Sequence, residues 1–99
     1  MHPFVKGIQK SFQLHANPEL AVGMKAYMLH QFEFLGIKAP LRDHLTNTYL
    51  KSNSLENGEL LELVVKELWA LPQREFQYFA IDVFKKHKSL WTANSIHLI

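Results

Sequence analysis

Six histidines are the first residues with chemistry to offer: His2, His15, His30, His44, His87 and His97. A helix presents two metal ligands on one face only when they stand three or four residues apart. No two of these histidines are so spaced, and the chain contains no cysteine. No metal site is expected. Hydrolytic chemistry finds no foothold either. There is no glycine-rich phosphate loop and no Gly-x-Ser-x-Gly elbow, and Ser, His and Asp follow no order that points to a triad.

The charged residues say more. Net charge is +2 overall. Residues 1–51 carry six Lys/Arg against three Asp/Glu, whereas residues 52–99 carry five against six. One reading is scatter over solvated faces. The other is a weakly basic face that meets a polyanion. Among the aromatic residues, Phe4, Phe12, Phe76, Phe79 and Phe84 lie at helical core spacing, and Trp69 closes an apolar stripe. All six are expected in the core. Tyr27, beside Met28, admits two readings: a packed ring with a wet hydroxyl, or a ring that faces a ligand.

These side chains need elements to hold them, and the spacing predicts helices throughout. Phe4, Ile8 and Phe12 recur every four residues and predict a first helix over about 3–15. Asn17-Pro18-Glu19 combines a cap, a first-turn proline and an acid at the positive end of the dipole. The second helix starts there, carries Leu20, Met24, Tyr27, Met28 and Leu35, and is expected to stop at Gly36 in a left-handed conformation. Pro40 opens a third helix to about Lys51. Leu61, Val64, Val65, Leu68 and Trp69 mark a fourth, ended by Leu71-Pro72. Phe76, Phe79, Ala80, Val83 and Phe84 mark a fifth, and Thr92-Ala93-Asn94-Ser95 starts another.

No segment alternates long enough to be a strand, so the fold class is all-α. Hydrophobic residues at 47% and charged residues at 20% suit one globular domain. Helix pairs recur about every 40–47 residues, the period of HEAT-like repeats. The units are about 1–51 and 59–99, joined by the polar turn 52–58. A terminal repeat of such a solenoid normally shows a polar outer face. Ile96-His97-Leu98-Ile99 is mostly apolar, so the stack is expected to be incomplete at its C-terminus, with self-association through Leu98 and Ile99. No apolar run suits a signal peptide or a membrane helix, and the lack of cysteine fits a reducing compartment. A soluble, cytoplasmic protein is expected.

Four stretches carry a resemblance: Met1-His2-Pro3-Phe4-Val5, Met24-Lys25-Ala26-Tyr27-Met28, the run from Gln31 through Phe34-Leu35-Gly36-Ile37 to Pro40, and Glu67-Leu68-Trp69-Ala70-Leu71-Pro72-Gln73-Arg74-Glu75-Phe76-Gln77. Together they resemble the N-terminal part of the AlkD-type DNA alkylation repair enzymes. The resemblance covers essentially the whole chain and less than half of a full family member. It implies a right-handed stack of HEAT-like helix pairs whose basic concave face grips duplex DNA. It also implies cleavage of the glycosidic bond of N3- or N7-alkylated purines, without a deep base pocket. A carboxylate and tryptophan faces would stabilise the positive charge left on the sugar. No metal or organic cofactor is implied.

The family's catalytic carboxylate follows a tryptophan by four residues. Here Trp69 is followed at that distance by Gln73, and Trp91 by Ser95. No catalytic residue is therefore assigned, and this chain alone is expected not to excise bases. What the resemblance does carry over is a DNA-facing edge. Tyr27 matches a family aromatic near the lesion. The turn Lys38-Ala39-Pro40 matches a segment that approaches the distorted duplex, with Lys38 where uncharged polar residues are usual. Arg42, in the first turn of the next helix, is the expected phosphate ligand beside the helix N-terminus. Leu41 replaces an acidic residue often found there. The competing reading is a non-catalytic helical-repeat module that binds a protein or an unusual DNA structure.

Overall fold

The computed structural model describes residues 1–93 and 95. Among the described residues there are five α-helices, α1 (Pro3–Leu14), α2 (Pro18–Tyr27), α3 (Ala39–Ser52), α4 (Gly58–Trp69) and α5 (Arg74–Lys86), followed by a short 3-10 turn (Lys88–Leu90). The all-helical expectation holds, in a form consistent with a helical-repeat fold. Among the described residues no strand forms; a single isolated parallel bridge joins Glu33 and Gln73. None of the described helices is long and apolar enough to cross a membrane. The expected apolar contact through Leu98 and Ile99 lies outside the described residues, as do Asn94, Ile96 and His97.

Each helix start has a local cause. The His2 ring accepts the Phe4 N–H at 3.1 Å and caps α1, with Pro3 supplying the first helical residue. The Asn17 side chain accepts from Glu19 and Leu20, and that of Asn57 from Leu60 at 2.9 Å. Such caps satisfy amide groups that the helix itself leaves unpaired. Lys38 and Gln73, which precede α3 and α5, give no side-chain cap.

The core lies between α1, α3, α4 and α5. The α4–α5 hairpin makes the most extensive contact, and α1 packs on both α3 and α4. Phe12 stacks on Phe76 with ring centroids 5.5 Å apart and meets Phe79 edge-on at 5.8 Å. The Tyr49 hydroxyl donates to the Phe4 carbonyl at 2.7 Å, binding α3 to α1. Gly7 makes this approach possible, because a methyl group there would strike the Tyr49 hydroxyl. Burial pushes the Tyr49 phenol above its ordinary pKa. His87, itself buried, joins the turn before α4 to the end of α5. Its Nε2 accepts the Leu55 N–H at 3.0 Å and its Nδ1 donates to the Val83 carbonyl at 2.8 Å.

Three expectations fail. Trp69 is not core: it is 39% exposed at the last residue of α4. Apolar spacing cannot tell the final turn of a helix from its middle, and neighbours thin out there. Phe84 is only half-buried, stacked on Trp91 at 4.4 Å. The second helix also stops at Tyr27, well short of Gly36. The His30 N–H bonds to the Lys25 carbonyl at 2.9 Å, and the Leu29 N–H to Ala26 at 3.0 Å. This is a Schellman closure, with Leu29 at φ 55° in the left-handed position where glycine is usual. Gly36 is left-handed as expected, at φ 93°, but it terminates no helix. It brings the segment after α2 so close to the Asn17 carbonyl that a side chain would collide with the backbone.

Candidate nucleic-acid interface

The candidate edge rests on the irregular segment between α2 and α3. Three ties fix this segment. The Asn17 N–H donates to the Leu35 carbonyl at 2.9 Å, and the Arg74 N–H to the Glu33 carbonyl at 2.8 Å. The third tie is the Glu75 carboxylate, which has no solvent exposure. It accepts from the backbone N–H groups of Leu35 at 2.9 Å, Gly36 at 3.0 Å and Ile37 at 3.2 Å. A buried charge survives only where its lone pairs are satisfied, and here backbone donors do this rather than a cation. Ile37 is fully buried next to that anchor, and Lys38 follows directly as the residue before α3.

The ties place Tyr27 from α2, Lys38 from the segment and Arg42 from α3 around one groove of about 520 Å³. Met24, Met28 and Phe34 give it an apolar floor, each of them half-buried. Tyr27 is 86% exposed, so of its two readings the packed one fails. Pro40, by contrast, is not part of the groove. It lies exposed in the first turn of α3, where its fixed φ and missing N–H suit a helix start.

Arg42 is held by a feature that spacing did not reveal. Its guanidinium sits over the Tyr78 ring, 4.4 Å from the centroid. Arg74 lies over the same ring at 5.3 Å and over Phe32 at 4.2 Å. The Nε atoms of both arginines are shut away from solvent without a hydrogen-bond partner in the protein. Aromatic faces thus support these cations, whose Nε atoms meet no acceptor. Arg74 also hydrogen-bonds the Gln77 amide oxygen. Lys25 is occupied differently, in an ion pair with Glu33 at 2.9 Å. On the other side of Arg42, burial raises the Asp82 carboxyl above its ordinary pKa, and the Asp43 charge raises it further; Arg42 and Lys85 pull the other way.

Sequence reasoning named Lys38, Arg42 and Tyr27, which the structure brings to one groove, but did not single out Tyr78, Arg74, Phe32 or Glu75. For Glu75 a signal existed, since it falls on the core stripe of α5 with Phe76, Phe79 and Val83. The two positions where a catalytic carboxylate was sought have structural tasks. Gln73 precedes α5 and bridges to Glu33, and the Ser95 hydroxyl accepts the Thr92 N–H at 2.8 Å. Among the described residues no three His, Asp or Glu side chains gather as a metal-binding set.

Comparison with curated proteins returned no match. The family described as DNA alkylation repair enzyme matches residues 8–99, a span that begins within α1 and includes α2 to α5. This chain belongs to the DNA alkylation repair enzyme family.

Proposed function

We propose that the part this chain plays in the DNA repair role of its family is to grip duplex DNA. The contact face comprises Tyr27, Lys38, Pro40 and Arg42, and the repair reaction is excision of N3- or N7-alkylated purines. The observation that carries this reading is the convergence of Tyr27, Lys38 and Arg42 from three separate segments on one groove. Lys38 and Arg42 outnumber the one acidic lining residue, Glu19. The amide groups of the first turn of α3 add a positive end to the same place. Phosphate contacts of this kind set register and orientation on a duplex without reading sequence. The proposed setting is the cytoplasm, and the binding requires no metal or organic cofactor.

No residue of the chain is assigned to the bond-breaking step. The purified chain is expected to bind a duplex that carries methylated purines and to release none of them. Filter binding and chromatographic detection of free methylpurines test the two halves separately. Release of base overturns the expectation that the chain alone excises none, and failure to retain DNA overturns the proposal itself.

A second reading has its own support. α2 buries none of its residues, and Leu20, Val22 and Tyr27 are exposed along it. A helix that packs so lightly also suits a protein partner. Binding to DNA that is insensitive to salt, or absent, favours that reading.

A further inference from the structure

Five asparagines occur in the chain, and one of them, Asn57, precedes a glycine. The backbone nitrogen that follows an asparagine can attack the side-chain amide carbon. It does so most readily where the next residue has no side chain to shield it. The structure explains why this labile pair stands at the start of α4. Asn57 is the cap: its Oδ1 accepts the Leu60 N–H at 2.9 Å, and its carbonyl accepts the Leu61 N–H at 3.1 Å. Gly58 is the first helical residue, and a Cβ there would press on the Leu90 carbonyl oxygen at 3.1 Å, tighter than ordinary contact. Each residue suits its own place, and the lability comes from their being adjacent. The Gly58 nitrogen lies in the first turn, where the helix offers it no acceptor, and Asn57 is exposed to water.

The other asparagines lack one part of this arrangement. Pro18, after Asn17, has no N–H to lose. Asn47 and the residue after it, Thr48, lie inside α3. Asn53 donates its side-chain N–H to the Tyr49 carbonyl at 2.9 Å and is followed by Ser54, which has a side chain. Asn94, outside the described residues, is also followed by a serine.

We propose that Asn57-Gly58 is a site of spontaneous deamidation gated by the first turn of α4. The Gly58 nitrogen bonds to Asn57 Cγ, the Cγ–Nδ2 bond breaks, and ammonia leaves with the proton that Gly58 gives up. Water then opens the succinimide ring, at Cγ to give aspartate or at the Asn57 main-chain carbonyl to give isoaspartate. Folding restrains the first step. At ψ 169° the Gly58 nitrogen stands out of the plane of the ring to be closed, so Asn57 must first release Leu60 and Leu61. Aspartate caps a helix as well as asparagine does. Isoaspartate adds a methylene to the main chain and breaks the cap, two residues from the Leu55 amide that His87 holds.

The test incubates the full chain at mildly alkaline pH, folded in buffer and unfolded in guanidinium chloride. Mass-spectrometric peptide mapping then follows amide-to-acid conversion at each asparagine. In the unfolded chain Asn57 should convert before the other four, and Gly58→Ala should slow it there, where folding plays no part. In the folded chain conversion of Asn57 should be about tenfold slower, the cost of giving up one cap and one backbone hydrogen bond. Another asparagine converting first in the unfolded chain, or Gly58→Ala converting as fast as wild type, overturns the site. Equal rates in the two states overturn the gating, and so does slowing of roughly a thousandfold or more, which would require global unfolding.

Discussion

Replacing Glu75 tests how the candidate face is held in place. Its carboxylate is inaccessible to solvent and accepts three backbone N–H groups. Glu75→Leu keeps the bulk and removes every acceptor. The Leu35 amide is only partly buried and can turn to water, but those of Gly36 and Ile37 are buried. A buried donor left unpaired costs about 1–3 kcal/mol, so the leucine variant should lose roughly 2–6 kcal/mol. The desolvation cost of the charge disappears with it, which favours the lower half of that range. Glu75→Gln retains one oxygen and turns an NH₂ group toward at least one donor, a loss of about 2 kcal/mol. A domain of this length has only about 5–15 kcal/mol to lose. Urea unfolding should show both midpoints lowered, leucine further than glutamine, with shifts on the order of 1–2 M. A leucine variant as stable as wild type would refute the claim that the carboxylate anchors this segment. Equal losses for the two variants would refute the donor-by-donor account.

Other predictions follow from the same contacts. Tyr78→Leu removes the ring beneath Arg42 and should weaken duplex binding about two- to fivefold, with Tyr78→Phe close to wild type, as measured by anisotropy. Leu29→Gly relieves the left-handed Schellman position at little cost in burial, since Leu29 is 76% exposed. Hydrogen exchange at the His30 amide should slow by a factor corresponding to about 1 kcal/mol. Asp82 has its carboxyl pKa raised on folding, chiefly by burial, so the folded state holds its proton more tightly than the unfolded chain. Its contribution to stability is therefore lost as pH rises through the window above the ordinary carboxylate value. Asp82→Asn should be slightly more stable than wild type at neutral pH, with the difference shrinking on acidification in urea titrations.

Residues close in sequence announced much of the fold. Asn17-Pro18-Glu19 starts α2 where its chemistry requires, and the Phe4, Ile8 and Phe12 stripe buries as its spacing demands. The stripe of α4 does the same up to Leu68 and fails at Trp69, where the helix ends. The end of α2 was misplaced because a leucine, not a glycine, occupies the left-handed closing position. Gly36 was rightly read as left-handed but for a wrong reason. Its conformation answers to the Asn17 backbone and to Glu75, which lies 39 residues further along the chain.

The site divides in the same way. Lys38 and Arg42 could be named from the resemblance, which matches the turn at this proline-led helix start, and they share a groove with Tyr27. Pro40 could be named too, but it is not among the residues that line that groove. The ring that holds Arg42 could not be read from spacing, because Tyr78 meets it only once α3 packs on α5.

The central claim is that Lys38 and Arg42 meet DNA phosphates, and the salt dependence of duplex binding tests it most directly. Each phosphate neutralised releases counterions, so the logarithm of the affinity falls linearly with that of salt concentration. Lys38→Ala and Arg42→Ala should each flatten this slope by about one unit and weaken binding to all duplex sequences alike. Slopes in both variants indistinguishable from wild type would contradict the account and take these residues out of the interface.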